Sequence, residues 1–257
     1  MNRPLIDYGR LLEVIGIEAR LVARSAEGAS EDARVPNCPG LTLGEAVRHL
    51  GGAYRTAKAW IESGDSPATW QAHPAPGQSL VEFFLAGQRE LVEVLVAHDA
   101  EEACATWWTS HQNYGFWRRR MAHETTIHRY DVQGALGSRE DIDEIPDDVA
   151  IDGVDEALTL WFEHRLSVLG MVGTTEKSVA VRVGEHIWRA KAGPSGTSAT
   201  RVAPEDVADV DAEITGTAEQ VYLWLWGRMP TYVLPIDRGR DPDAVAQLWA
   251  LMRLATK

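Results

Sequence analysis

Cysteine and lysine are both scarce in this chain, and it has no long apolar run. Its only cysteines are Cys38 and Cys104, which form no C-x-x-C pair. A disulfide framework is thereby excluded, and the chain fits a reducing cytoplasm, with both thiols expected to be buried and inert. Four lysines against 21 arginines, together with abundant Ala and Trp, reflect coding bias rather than function. Positive charge is in deficit overall, with a net charge of −13 and a pI near 5.0. A general binder of nucleic acid or anionic membrane would carry the opposite, basic footprint. No apolar stretch approaches the ~20 residues that span a bilayer. The opening segment "MNRPLIDYGRLLEVIGIEARLV" is broken by charges throughout, so it reads as a first amphipathic helix rather than a signal peptide.

What is present is 257 residues with 45% hydrophobic content, enough for one large domain or two modest ones. The first 137 residues carry helix punctuation and almost no strand signal. One periodic helix covers 5–27 and stops at Gly28. Thr42 with Glu45 forms a capping box that starts a second helix at 43, ended by Gly64. Ser79 with Glu82 repeats the device for a third helix, 80–98, and a fourth runs from 114 to 136 before Gly137. Four amphipathic helices read as a four-helix bundle.

The acidic, Pro-containing stretch "GSREDIDEIPDD" is a linker that leads into a helix over 147–166. "SVAVRV", "HIWRAKA", "TSATRVA" and "VDAEITG" then alternate with Gly and Pro signals, the spacing of an antiparallel meander. Two helices close the chain, "TAEQVYLWLWGRM" and "DPDAVAQLWALMRLAT". The expected fold class is therefore α + (α+β): a bundle over 1–140 and a small antiparallel sheet with helices on one face over 141–257.

Chemistry concentrates in "FWRRRMAHETTIHRYDVQGALG". The H-E-x-x-H pattern of zinc proteases is absent, because Ile127 stands at the second histidine position. Trp117, Met121, Glu124, His128, Val132 and Ala135 form one helix stripe whose other members are apolar. Glu124 and His128 lie about 40° apart on it, whereas His123 is about 140° away from His128 and faces elsewhere. On the second helix, His49 falls mid-stripe among Leu43, Ala46, Leu50, Ala53, Ala57 and Trp60. Two imidazoles and a carboxylate inside a bundle suit a three-ligand zinc site with an open position. A hydrogen-bonded core histidine beside an i,i+4 Glu–His pair accounts for the same pattern, and periodicity does not choose between them. His73, His98, His111, His164 and His186 fall near loops, helix ends or the sheet and carry no such pattern.

The blocks "CPGLTLGEAVRHLGGAYR", "GFWRRRMAHETTIHRYDVQGALG", "IPDDVAIDGVDEAL" and "YLWLWGRMP" resemble, in order, those of the mycothiol-dependent maleylpyruvate isomerase family. The resemblance implies a DinB-like N-terminal bundle and a C-terminal α+β domain of sterol-carrier-like type. It implies zinc, or another divalent metal, on His49, Glu124 and His128, and mycothiol, the small thiol of actinobacteria, as cosubstrate. In that family the thiolate adds to the cis double bond of maleylpyruvate, the adduct rotates, and the thiol leaves to give fumarylpyruvate.

The carboxylates of such a substrate need local cations on a chain of charge −13. Arg228, which the resemblance places facing the metal across the domain junction, is the first candidate, and Arg89 is the second. A helix-C-terminal arginine favoured by the macrodipole is an equal reading of Arg228. Arg118, Arg119 and Arg120 are expected to be mostly solvated, with one of them turned toward the pocket. Asp131 is placed to orient His128 or to pair with an arginine. The reading is thus a zinc- and mycothiol-dependent isomerase or thiol S-transferase, monomeric or homodimeric and cytoplasmic. Its partners are a small thiol and an electrophile, with neither nucleic acid nor membrane. The alternatives are a zinc-dependent hydrolase of a small molecule and a non-enzymatic, metal-containing ligand-binding protein.

Overall fold

The structure, a computed structural model, describes residues 3–36, 38, 40–137, 139–235 and 241–256. The chain divides into two compact units, Met1–Glu144 and Ile145–Lys257.

The first unit holds four long helices, and local chemistry explains where each begins. Asp7 caps α1 (Tyr8–Ala26) by accepting from Gly9 N. The boxes at Thr42/Glu45 and Ser79/Glu82 open α2 (Leu43–Ser63) and α3 (Leu80–Ala97). In each box the cap hydroxyl accepts from the N3 amide while the N3 carboxylate accepts from the cap amide, which satisfies two end donors. Gly64 ends α2 in the left-handed conformation, with φ of 76°. Asn113 caps α4 (Tyr114–Gly134), which stops at Gly134, short of the 136 expected from sequence. α1 packs on α4 and α3, and α2 packs on α3 and α4, closing the bundle.

The helix α4 is buried on nearly every side, although its sequence is strongly polar. Several of its polar side chains are bonded internally, which offsets the cost of burial. Thr125 Oγ1 donates to Met121 O, so the Tyr54 hydroxyl of α2 is the donor in its 2.6 Å contact with Thr125. Arg129 donates from Nε to Glu18 Oε2 of α1 at 2.6 Å and from Nη1 to Gln133 Oε1 at 3.0 Å. This corrects the expectation of a mostly solvated arginine run, because Arg118, Arg119 and Arg120 are all buried. Arg118 caps the end of α3, donating to the carbonyls of Leu95 and His98.

The second unit begins with α5 (Asp147–Glu156), which runs on as a π-helical segment, Ala157–Arg165, and a last turn, α6 (Leu166–Val168). Its sheet comprises β1 (Lys177–Val183), β2 (His186–Gly193), β3 (Gly196–Arg201) and β4 (Ala212–Thr215) in the order β3-β2-β1-β4. Strands β1 to β3 form the expected antiparallel meander, but β4 lies parallel to β1. The sheet is therefore mixed, which corrects the all-antiparallel expectation. The physical reason is the β3–β4 connection. It crosses the sheet through a 3-10 turn, Pro204–Val207, whose Val207 joins Val210, Ala180 and Ile187 in one apolar cluster. Alternation in a strand records which face is buried, and it carries no information on strand direction.

Asp155 ties helix to sheet: its carboxylate accepts from Trp188 Nε1 and Arg201 Nε at Oδ1 and from Arg201 Nη2 at Oδ2. The helices α7 (Ala218–Leu225) and α8 (Pro242–Ala255) complete the unit; α7 packs on α5, and α8 packs on the sheet. Among the described residues no helix is long and apolar enough to cross a membrane.

Candidate metal centre

His49 from α2 meets Glu124 and His128 from α4, and one ligand atom from each lies within 4.8 Å of the others. Glu124 Oε1 is the focus, 2.7 Å from His49 Nε2 and 3.6 Å from His128 Nε2. Two donors on one tetrahedral zinc stand roughly 3.3 Å apart. The two separations about Oε1 bracket that span, and a carboxylate with two imidazoles is a common zinc donor set, so the residues fit the ion.

The helix phase predicted from sequence brings the α4 pair together, because residues four apart share a face. The position of His49 differs from the mid-core reading. Its side chain is 53% exposed, against 15% for Glu124 and 14% for His128. The buried face of α2 centres on Ala46, Val47, Leu50, Tyr54 and Ala57, and His49 sits at its edge. The cluster is thus anchored from inside and open on one side.

Behind the donors stands a second set of groups. Arg120 Nη2 donates to Glu124 Oε2 at 2.8 Å. His128 Nδ1 lies 3.1 Å from Asp131 Oδ2, close enough for an ion pair but poorly aligned for a hydrogen bond. Burial by itself would raise the Glu124 carboxyl. The His128 imidazole 3.6 Å away, the hydrogen bond from His49 and the charge of Arg120 overcome it and hold the group well below the usual carboxylate range. Burial lowers His128, but the carboxylates of Asp131 and Glu124 outweigh it and push the imidazole up to about 9. His128 therefore holds a proton readily in the metal-free protein, and a metal ion on its ring nitrogen would compete with that proton.

Of the other residues selected from sequence, Arg89 lies on the exposed face of α3 and takes no part in this cluster. Arg228 follows the left-handed Gly227 at the end of α7 and donates from Nη1 to Trp226 O at 2.8 Å. His123 is fully buried, on the other side of α4 from the donor stripe. Arg120 is the member of the arginine run that turns toward the site; the sequence reading expected one of the three to do so without saying which, although a place four residues before Glu124 is an i,i+4 signal that singles it out. Both cysteines are free thiols, and burial pushes Cys104 up to about 11.

The bundle and its donor set define the class. Residues 14–133, within the N-terminal unit, match the domain family described as "Mycothiol maleylpyruvate isomerase N-terminal domain". Over 95% of its length the chain is similar in fold to mycothiol-dependent maleylpyruvate isomerase. The crystal structure of that enzyme superposes with a TM-score of 0.60 over 95% of this chain and 99% of its own, at 13% identity. A histidine-to-alanine mutant of the enzyme gives a TM-score of 0.59 over the same shares, also at 13% identity. No match is found among curated proteins.

Proposed function

We propose that this protein is a metal- and mycothiol-dependent isomerase or thiol S-transferase acting on a small electrophile that bears carboxylates, of the maleylpyruvate kind. The observation that carries the reading is the convergence of His49, Glu124 and His128 within 4.8 Å beside an open edge. Zinc is the first choice of metal, because nitrogen and carboxylate donors with a position left open are the usual catalytic zinc arrangement. A cation held by His49, Glu124 and His128 would supply Lewis acidity that favours the thiolate form of an incoming thiol, which with a free pKa of ~8.5 is otherwise mostly protonated at neutral pH.

The chain's own residues divide the remaining work. Glu124 and His128 supply fixed donors from the buried helix α4, and the half-exposed His49 leaves solvent access on its side. Arg228 is proposed to hold a substrate carboxylate, with Arg89 as the weaker candidate. The partners are then the small thiol and the electrophile, with the bundle over 1–140 and the α+β part over 141–257 as the working division.

The test is metal analysis of the purified protein followed by an electrophile panel assayed with and without mycothiol. About one zinc per chain and turnover that requires the thiol are expected. Metal-dependent cleavage of esters or amides without thiol would replace this reading with a hydrolase. Full metal occupancy with no turnover of any kind would leave a ligand-binding protein.

A further inference from the structure

We propose that Arg120 is the positioning residue of the centre: by holding Glu124 Oε2 it leaves Oε1 as the carboxylate's single metal-binding oxygen. The inference rests on the metal-binding reading above and goes beyond it, because it fixes how the glutamate binds and why a position stays open.

The two oxygens of Glu124 have separate partners. Oε1 meets both imidazoles, at 2.7 and 3.6 Å. Oε2 accepts from Arg120 Nη2 at 2.8 Å. A carboxylate whose second oxygen is already engaged by a charged donor gives that contact up reluctantly, since charge-assisted hydrogen bonds are the strong ones. Arg120 has little freedom to release it. Its side chain is 3% exposed, and it stands one turn before Glu124 on a helix buried on nearly every side. A Glu124 free to rotate would offer both oxygens to the same ion and fill a position that an outside ligand needs.

An arginine–carboxylate pair elsewhere in the chain shows the alternative geometry, with both oxygens engaged by one guanidinium. Arg201 binds Asp155 through both oxygens, Nε to Oδ1 and Nη2 to Oδ2. Arg120 is seen on Oε2 of Glu124, and the imidazoles are on Oε1.

The first experiment uses the wild-type chain loaded with zinc and solved by crystallography. Glu124 Oε1 is expected at ~2.0–2.2 Å from the ion, with Oε2 still on Arg120; two oxygens on the zinc would overturn the proposal. The second experiment compares wild type, Arg120→Lys and Arg120→Met by metal affinity and by the visible spectrum of the cobalt-substituted proteins. Arg120→Met is expected to weaken metal binding by ~10- to 100-fold, the usual loss when a group supporting a ligand is removed. At saturating cobalt its spectrum should shift to the weaker absorption of a higher coordination number, and Arg120→Lys should recover part of both effects. A variant with wild-type affinity and spectrum would make Arg120 a structural ion pair only. If Arg120→Met does not fold, the zinc-loaded wild-type structure still decides. A wild-type protein that takes up no metal sinks the metal-binding reading and this proposal together. A loaded protein with Glu124 bound through both oxygens sinks the proposal alone.

Discussion

Glu124 in the N-terminal unit and Asp155 in the C-terminal unit are both helix carboxylates held by an arginine, and their surroundings differ in kind. Asp155 is fully buried and accepts three hydrogen bonds from Trp188 and Arg201. Each of its oxygens is engaged by a fixed protein donor. Glu124 is 15% exposed, and its Oε1 faces two imidazoles, one of them on a half-exposed residue. A carboxylate that serves the fold is closed by its partners. Glu124 is held on one side and offered on the other. Burial and arginine pairing alone do not separate the two cases; the direction of the open side does.

The largest effect that tests this contrast is loss of metal. His49→Ala, Glu124→Ala and His128→Ala should each lower bound zinc from about one per chain to near zero, measured by elemental analysis after desalting. His123→Ala should leave the metal in place, because that side chain is buried on the other side of α4. Zinc lost with His123 and retained without Glu124 would remove the donor assignment.

Asp155→Ala should do the reverse. It leaves Trp188 Nε1 and the Arg201 guanidinium without their carboxylate, so stability in a urea titration should fall by about 2–3 kcal/mol. The figure falls below the ~3–5 kcal/mol of fully buried broken pairs because the Arg201 side chain is 33% exposed and partly screened by solvent. Zinc content per folded chain should not change. If it drops with Asp155, the two carboxylates are not functionally separate.

The smallest effect concerns how His49 is carried. Thr42→Ala removes the cap of α2, at a cost of about 1 kcal/mol in the same titration. His49 sits two turns further along α2, so metal stoichiometry should be unaltered. A cap mutant that loses zinc would mean that the exposed histidine depends on the helix end rather than on its contacts with α4.

The parts of this molecule that were legible in the sequence are those set by neighbours a few residues apart. The two capping boxes fixed the starts of α2 and α3 because both partners lie within one turn. The phase of α4 selected Glu124 and His128 and set His123 aside for the same reason. His49 was found, but its exposure was not, because a stripe edge and a stripe centre look alike without the packed neighbours. The burial of Arg118, Arg119 and Arg120 was hidden because α4 is surrounded, and a helix buried all round has no polar face to read. The parallel placement of β4 depends on the path of its connection, and the π-helical segment after α5 depends on hydrogen-bond register. Neither leaves a mark in residue type. Asp155 went unremarked because "DDVAIDGVDEAL" reads as a hydrated acidic helix until Trp188 and Arg201 arrive from strands more than thirty residues away.

His49 and Glu124 are 75 residues apart in sequence, and they join two different helices at one point. An ion seated there acts as a removable rivet through the bundle, and its grip is set by supply. At a free metal concentration of 100 times the dissociation constant, binding to the folded chain alone adds about 2.7 kcal/mol of stability. The melting temperature of this protein should therefore rise with added zinc and fall with a chelator. A cell starved of the ion would hold a looser bundle, one whose α2 and α4 are still joined a turn further on by the hydroxyls of Tyr54 and Thr125.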